Sequence, residues 1–121
     1  MNKLRMVCAI VLAIPLLLFG VGYYIHPPAL PPEPVAAVQL LKLMREGGMT
    51  VAVTLSHIIA GVFLLVPRTR FVAAMLQLPM TIGIAAFHLT MWRAGLPVAL
   101  LLLLLNLVVL WDPPRWRSLV E

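Results

Sequence analysis

Four long apolar stretches, residues 6–25, 49–66, 71–91 and 96–111, constrain this chain more than any other feature of its sequence. An α-helix needs about 20 apolar residues to cross the hydrocarbon of a bilayer, with a range of about 17 to 25. The first three stretches meet that length. The fourth is slightly short, so its flanking residues fall in the interface. Within hydrocarbon every backbone N–H and C=O must be satisfied, and a helix does so inside its own segment. Composition agrees: 63% of the residues are hydrophobic and 11% are charged. A soluble domain carries roughly 25% charged residues, so this chain has too little polar surface to face water all round. At 121 residues it is a single domain. The expected fold class is all-α: a polytopic membrane protein, residues 1–121, forming a four-transmembrane-helix bundle.

The first stretch follows Lys3 and Arg5, which suits a signal peptide. Its apolar run exceeds a normal signal core, however, and no A-x-A cleavage site follows. The expectation is a retained first helix, kinked at Pro15 and tolerated by its neighbours. Cys8 is the lone cysteine, so neither an intrachain disulfide nor a CxxC pair can form, and it reads as a small apolar helix residue.

Residues 26–48 join the first two spans. The run Pro27-Pro28-Ala29-Leu30-Pro31-Pro32 cannot be helical. Pro34 then suits the first turn of a short helix over 34–46, and Gly47-Gly48 suits its end. Gln39, Lys42, Arg45 and Glu46 fall on one polar face of this helix, while Val38, Leu40, Leu41, Leu43 and Met44 lie largely elsewhere. This is an amphipathic helix of interfacial type, too short to span.

The net charge is +5, from nine Lys/Arg and four Asp/Glu. These charges are scattered between apolar runs as membrane-flanking residues, without a basic stripe and interleaved aromatics, so nucleic acid is not an expected partner. With the N-terminus inside, one side collects Lys3, Arg5, Arg68, Arg70, Arg115 and Arg117; the other collects Lys42, Arg45 and Arg93. That bias places both termini in the cytoplasm. Trp92, Trp111 and Trp116 fall at or near helix ends, as an aromatic belt would place them.

Polar residues within the spans carry the functional information, because a polar group in hydrocarbon turns toward the bundle interior to find a partner. At about 100° per residue, Thr50, Thr54, His57 and Gly61 share one face of the second span. Gln77, Thr81 and His88 share a face of the third, and the fourth contributes Asn106. A rise of about 1.5 Å per residue puts His57 and Thr81 near mid-membrane, and His88 about 10 Å further out, level with Thr50. Two clusters are expected. One joins His57 with Gln77, Thr81 and Asn106; the other joins His88 with Thr50 and a tyrosine of the first span.

Two readings of these stripes stand side by side. In one they are interhelical hydrogen bonds, worth about 0.6 kcal/mol each. In the other they line a site for a small ligand, a quinone head group or a proton, since histidine titrates near neutral pH. A metal or haem site is disfavoured by the depth difference between His57 and His88, because ligands must lie within about 2 Å of the ion. No acidic residue lies in any span, and GxSxG, Walker, GxGxxG and HExxH motifs are absent. No catalytic residue is expected, and the chain is not expected to be an enzyme on its own.

Ser56-His57-Ile58-Ile59-Ala60-Gly61 through Val66-Pro67-Arg68 resembles the second helix of the DoxX-like membrane proteins. Leu78-Pro79-Met80-Thr81 through Phe87-His88-Leu89 is similar to their third helix. Ala94-Gly95-Leu96-Pro97, the leucine run and Asn106-Leu107 resemble their fourth. The resemblance covers roughly the last two-thirds of the chain. His57 stands where the family pattern leads to a glutamate, and Gly83 where many relatives have asparagine. The resemblance implies a four-helix protein of the bacterial cytoplasmic (inner) membrane. It further implies kinship with membrane subunits linked to quinone-coupled sulfur oxidation, or to thiol and oxidative-stress systems with partner proteins.

Three functions follow as expectations. The first is a membrane subunit or anchor for a partner oxidoreductase, with the interfacial helix as the docking surface. The second is a quinone-binding or other small-ligand-binding redox membrane protein. The third is a small transporter or channel, which would need a homo-oligomer to enclose a pore and which the apolar walls disfavour.

Overall fold

A computed structural model describes residues 2–120. The helices run in the order α1 (Asn2–Ile25), α2 (Val35–Glu46), α3 (Met49–Leu65), α4 (Arg70–Thr90), α5 (Leu96–Leu110) and α6 (Pro113–Val120). A 3₁₀ turn, Arg93–Gly95, leads into α5, and no strand occurs among the described residues. By length and composition, α1, α4 and the segment Arg93–Leu110 are each able to cross a membrane. α3 makes a fourth if it is counted together with α2, from which it is bent by 85°. The chain is therefore an all-helical protein of membrane-embedded type.

The bend between α2 and α3 has a local cause. The Gly47 N–H donates to the Leu43 carbonyl and closes α2. Gly48 then takes φ +81, in the left-handed region that a Cβ disfavours. Ala37 and Val38 of α2 are buried, whereas Gln39, Lys42, Leu43 and Glu46 are exposed. α2 packs on α3 and is bent nearly square to it. Pro34 is its N-cap residue rather than part of its first turn.

Four helices enclose the core in a ring. α1 packs against α3 and α5, and α4 against α3 and α5. Leu12, Leu16, Leu64 and Val109 are fully buried between them. α1 continues through Pro15, and α4 through Pro79. Cys8 is buried in this core. The α1–α3 contact depends on small residues. A Cβ on Gly20 would come within 2.6 Å of Ile58 Cγ1 and 2.9 Å of the Thr54 carbonyl oxygen. One on Gly61 would meet the Leu17 side chain at 2.7 Å. Without a hydrophobic drive between helices in lipid, such close van der Waals approach is what holds them together.

Two boundaries differ from the sequence expectation. α1 begins at Asn2 rather than at residue 6. Arg5 is part of the helix because its guanidinium pairs with Asp112 at 3.3 Å and its Nε donates to the Val109 carbonyl at 3.1 Å. At the other end, Pro113 and Pro114 do not merely stop the chain. They open α6, where proline costs nothing because the first helical N–H groups lack partners anyway. The Trp116 indole N–H donates to the Leu110 carbonyl at 2.7 Å, and its ring packs edge-on against Phe71. Arg70 Nε donates to the Leu64 carbonyl, and the Thr69 hydroxyl to the Phe63 carbonyl, which also accepts the Val66 N–H that caps α3.

Gly20→Ala is expected to destabilise the protein by about 1–3 kcal/mol through overpacking against α3. Gly22→Ala, two positions on, meets nothing within 4 Å and is expected to be neutral or slightly stabilising. Denaturant unfolding of the two variants in detergent micelles checks this; equal stabilities would refute the close-packing account.

Candidate functional site

The polar residues of the spans form a discontinuous seam through the ring. Asn106 on α5 is fully buried and reaches two partners on α4. Its amide Nδ2 donates to the Ala74 carbonyl at 2.8 Å, and its Oδ1 accepts from the Thr81 hydroxyl at 2.7 Å. The Thr81 hydroxyl also lies 3.0 Å from the carbonyls of Gln77 and Leu78. It has a single hydrogen, so these are alternatives, of which the Asn106 contact is the shortest. Gln77, buried on α4, places its Nε2 3.5 Å from Nδ1 of His57 on α3. The expected cluster of His57, Gln77, Thr81 and Asn106 is thus present as two adjoining pairs along α4.

The second expected cluster does not form. The Thr54 hydroxyl, not that of Thr50, meets helix α1, lying 2.9 Å from the Tyr24 hydroxyl. Thr54 Oγ1 also sits within donating distance of the Thr50 and Val51 carbonyls of its own helix. Donating there, it receives the Tyr24 proton. His88 is elsewhere: its ring lies on Gly95, where a Cβ would come within 2.8 Å of Cε1, and packs edge-on against Phe87. Its Nδ1 is buried without a hydrogen-bond partner among the described residues. The reason is topological. α1 packs on α3 and α5, so α4 presents His88 to the turn before α5 and not to a tyrosine of α1.

The main cavity, of about 670 Å³, lies between the C-terminal half of α1, the proline-rich segment, α2 and α3. That volume falls within the roughly 300–1,000 Å³ of small-molecule sites. Its walls are apolar, with Leu18, Phe19, Ile25 and Leu41 among them, and a few polar groups converge on it: His57, Thr50, Tyr23, His26 and Arg45. Leu18, Phe19 and Ile25 are themselves exposed on the outside of α1. The cavity is therefore open laterally, toward whatever surrounds the helices. His57 is 7% exposed and borders this space. Its Nδ1 is engaged by Gln77 and its Nε2 has no hydrogen-bond partner among the described residues, yet Nε2 is not a sealed atom. His57 lines the cavity, so this unsealed nitrogen is the ring atom free to meet a ligand there. On the far side of the same pair, Gln77 borders a groove of about 200 Å³ between α3 and α4, with Ser56, Phe63 and Met80.

Arg45 forms the lip. Its Nη2 donates to the Pro28 carbonyl at 2.6 Å, and its guanidinium lies 5.6 Å from the centre of the Tyr23 ring. These contacts hold the proline-rich wall, α2 and α1 together. Sequence reasoning placed Arg45 on the polar face of α2 but did not connect it with Tyr23 or His26. Only the direction of the polyproline turn brings them together, and no periodicity encodes that direction. No group of three or more His, Cys, Asp or Glu suited to a metal ion occurs among the described residues.

Comparison with protein-family models, curated proteins and solved structures finds no match. The fold and the cavity therefore carry the functional argument.

Asn106→Leu is expected to cost about 1–2 kcal/mol, since it removes two interhelical hydrogen bonds, while Thr81→Val alone is expected to cost about 0.6 kcal/mol. A double-mutant cycle read by unfolding in bicelles should show coupling between the two positions. Strict additivity would mean that the 2.7 Å contact contributes nothing.

Proposed function

We propose that this chain is a four-span protein of the bacterial cytoplasmic membrane, DoxX-like in kind, that takes a small apolar ligand with a polar head group from the bilayer. The supporting observation is the laterally open apolar cavity with the unpartnered Nε2 of His57 in its wall. A ligand already dissolved in lipid reaches such a cavity without crossing water. Its apolar body replaces lipid contacts along Leu18 and Phe19, and its head group finds Nε2, Thr50 and the lip at Arg45. A quinone has this chemistry. α1, α3, α4 and α5 are read as the spans, and α2 as lying in the outer interface. The end bearing Lys3, Arg5, Arg68, Arg70, Arg115 and Arg117 is then cytoplasmic, because positive residues are retained on that side.

A second reading is a membrane subunit for a partner oxidoreductase. It is supported by α2, whose Gln39, Lys42, Leu43 and Glu46 are exposed beside the cavity and form a mixed surface of the kind a partner could cover. The two readings are compatible, because a partner seated on α2 would stand next to the ligand. Gentle extraction from native membranes, followed by mass spectrometry of co-eluting proteins, tests the second: the chain running alone at every detergent strength would end it.

Decylubiquinone titrated into the protein in nanodiscs is expected to bind saturably. His57→Leu is expected to weaken binding about tenfold, the worth of one buried hydrogen bond of about 1.4 kcal/mol, with helix content unchanged by circular dichroism. Equal binding by both proteins would remove His57 from the site. For orientation, Gln39→Cys and Arg117→Cys, each with Cys8→Ala, should react with an impermeant maleimide from opposite sides of sealed vesicles. Labelling from the same side would overturn the assignment.

A further inference from the structure

We infer that Gln77 fixes the tautomer of His57, and that the cavity thereby selects ligands whose head group is a hydrogen-bond acceptor, a carbonyl above all. This rests on the cavity reading given above and names the chemistry of its ligand. A side-chain amide nitrogen only donates. With Gln77 Nε2 facing His57 Nδ1 at 3.5 Å, the amide orientation assigns Nδ1 as the accepting nitrogen of a neutral imidazole. The ring proton then resides on Nε2, the ring atom free to meet a ligand in the cavity. The partner of one ring nitrogen decides what the other offers. Here the offer of His57 is a single N–H donor in a largely apolar wall.

Gln77 is well placed for this role. It is 2% exposed on α4, one turn ahead of Thr81, whose hydroxyl has the Gln77 backbone carbonyl as an alternative acceptor. Its backbone thus adjoins the Asn106–Thr81 pair, its side chain is buried against His57, and it does not line the main cavity. It touches no ligand; it acts through His57 and is a positioning residue. A carbonyl oxygen satisfies the N–H and leaves nothing unpaired. A hydrocarbon of the same shape leaves the donor bare, and an alcohol brings a hydrogen that needs its own acceptor. In a low-dielectric wall an unsatisfied polar group is costly, so the discrimination is set by the mismatch as much as by the match.

The test has two parts and uses the full chain in nanodiscs. The first is nitrogen-15 NMR of histidine-labelled, ligand-free protein. His57 is expected to show protonated Nε2 and an accepting Nδ1, and Gln77→Met is expected to shift the Nδ1 resonance and bring in a second tautomer. The second is binding of three matched probes, decanophenone, 1-phenyldecanol and decylbenzene. The ketone is expected to bind about tenfold more tightly than the hydrocarbon, with its carbonyl stretch moved to lower frequency. That preference should be lost in His57→Leu. Protonation at Nδ1 in the unaltered protein, or an Nδ1 resonance untouched by Gln77→Met, would overturn the role of Gln77. Equal binding of ketone and hydrocarbon would overturn the selection, and with the expected tautomer in place it would locate the failure in the cavity reading rather than in the Gln77–His57 pair.

Discussion

The close crossing of α1 and α3 is the contact on which the rest of the molecule depends. Gly20 lets the two backbones approach, and Gly61 accepts the Leu17 side chain on the facing helix. Lipid tails are as apolar as leucine, so helices in a bilayer gain little by hiding leucine from their surroundings. They gain from shape. The approach of α1 to α3 brings Tyr24 to Thr54 and directs α1 past His57. The cavity lies beside this contact, between the C-terminal half of α1, the proline-rich segment, α2 and α3. A bulkier residue at Gly20 would therefore alter both the packing and the width of the pocket.

Polar groups in this setting act by choosing partners rather than by adding much energy. Asn106 ties α5 to α4 through two bonds and leaves neither amide atom bare. Gln77 ties α4 to α3 with one long contact. The first pair is self-sufficient and reads as structural. The second leaves a ring nitrogen of a cavity-lining histidine free, and that imbalance separates a site from a seam. His88 is a third case: its buried Nδ1 is unpaired among the described residues, and its ring is pressed against Gly95.

The all-helical class, the apolar stretches and the short helix α2 were legible in the sequence because hydrophobicity and length dictate them directly. The pairing of α4 with α3 and α5 through Gln77, Thr81 and Asn106 was legible too, since polar residues on single stripes must meet. What periodicity could not encode was the order of helices around the ring. The depth of His88 matched that of Thr50, yet equal depth does not make neighbours, and α4 turns His88 toward Gly95. The start of α1 at Asn2 and the existence of α6 were hidden for a different reason. Both are stabilised by side chains distant in sequence: Arg5 reaches Asp112, and Trp116 reaches Phe71. The DoxX-like resemblance remains a proposal drawn from motif-level likeness.

The Arg5–Asp112 pair has a consequence for how the protein is made. Arg5 enters the membrane with the first helix, whereas Asp112 follows the last apolar stretch and leaves the ribosome long afterwards. Throughout that interval Arg5 lacks the carboxylate it meets in the finished fold. The backbone carbonyl of Val109 that it also contacts comes just as late. The first helix therefore lacks this tether to the far end of the chain until the end of α5 arrives. Closure of the ring is an event of termination, not of initiation, and a nascent chain stalled within α5 would hold every earlier helix without its final clasp.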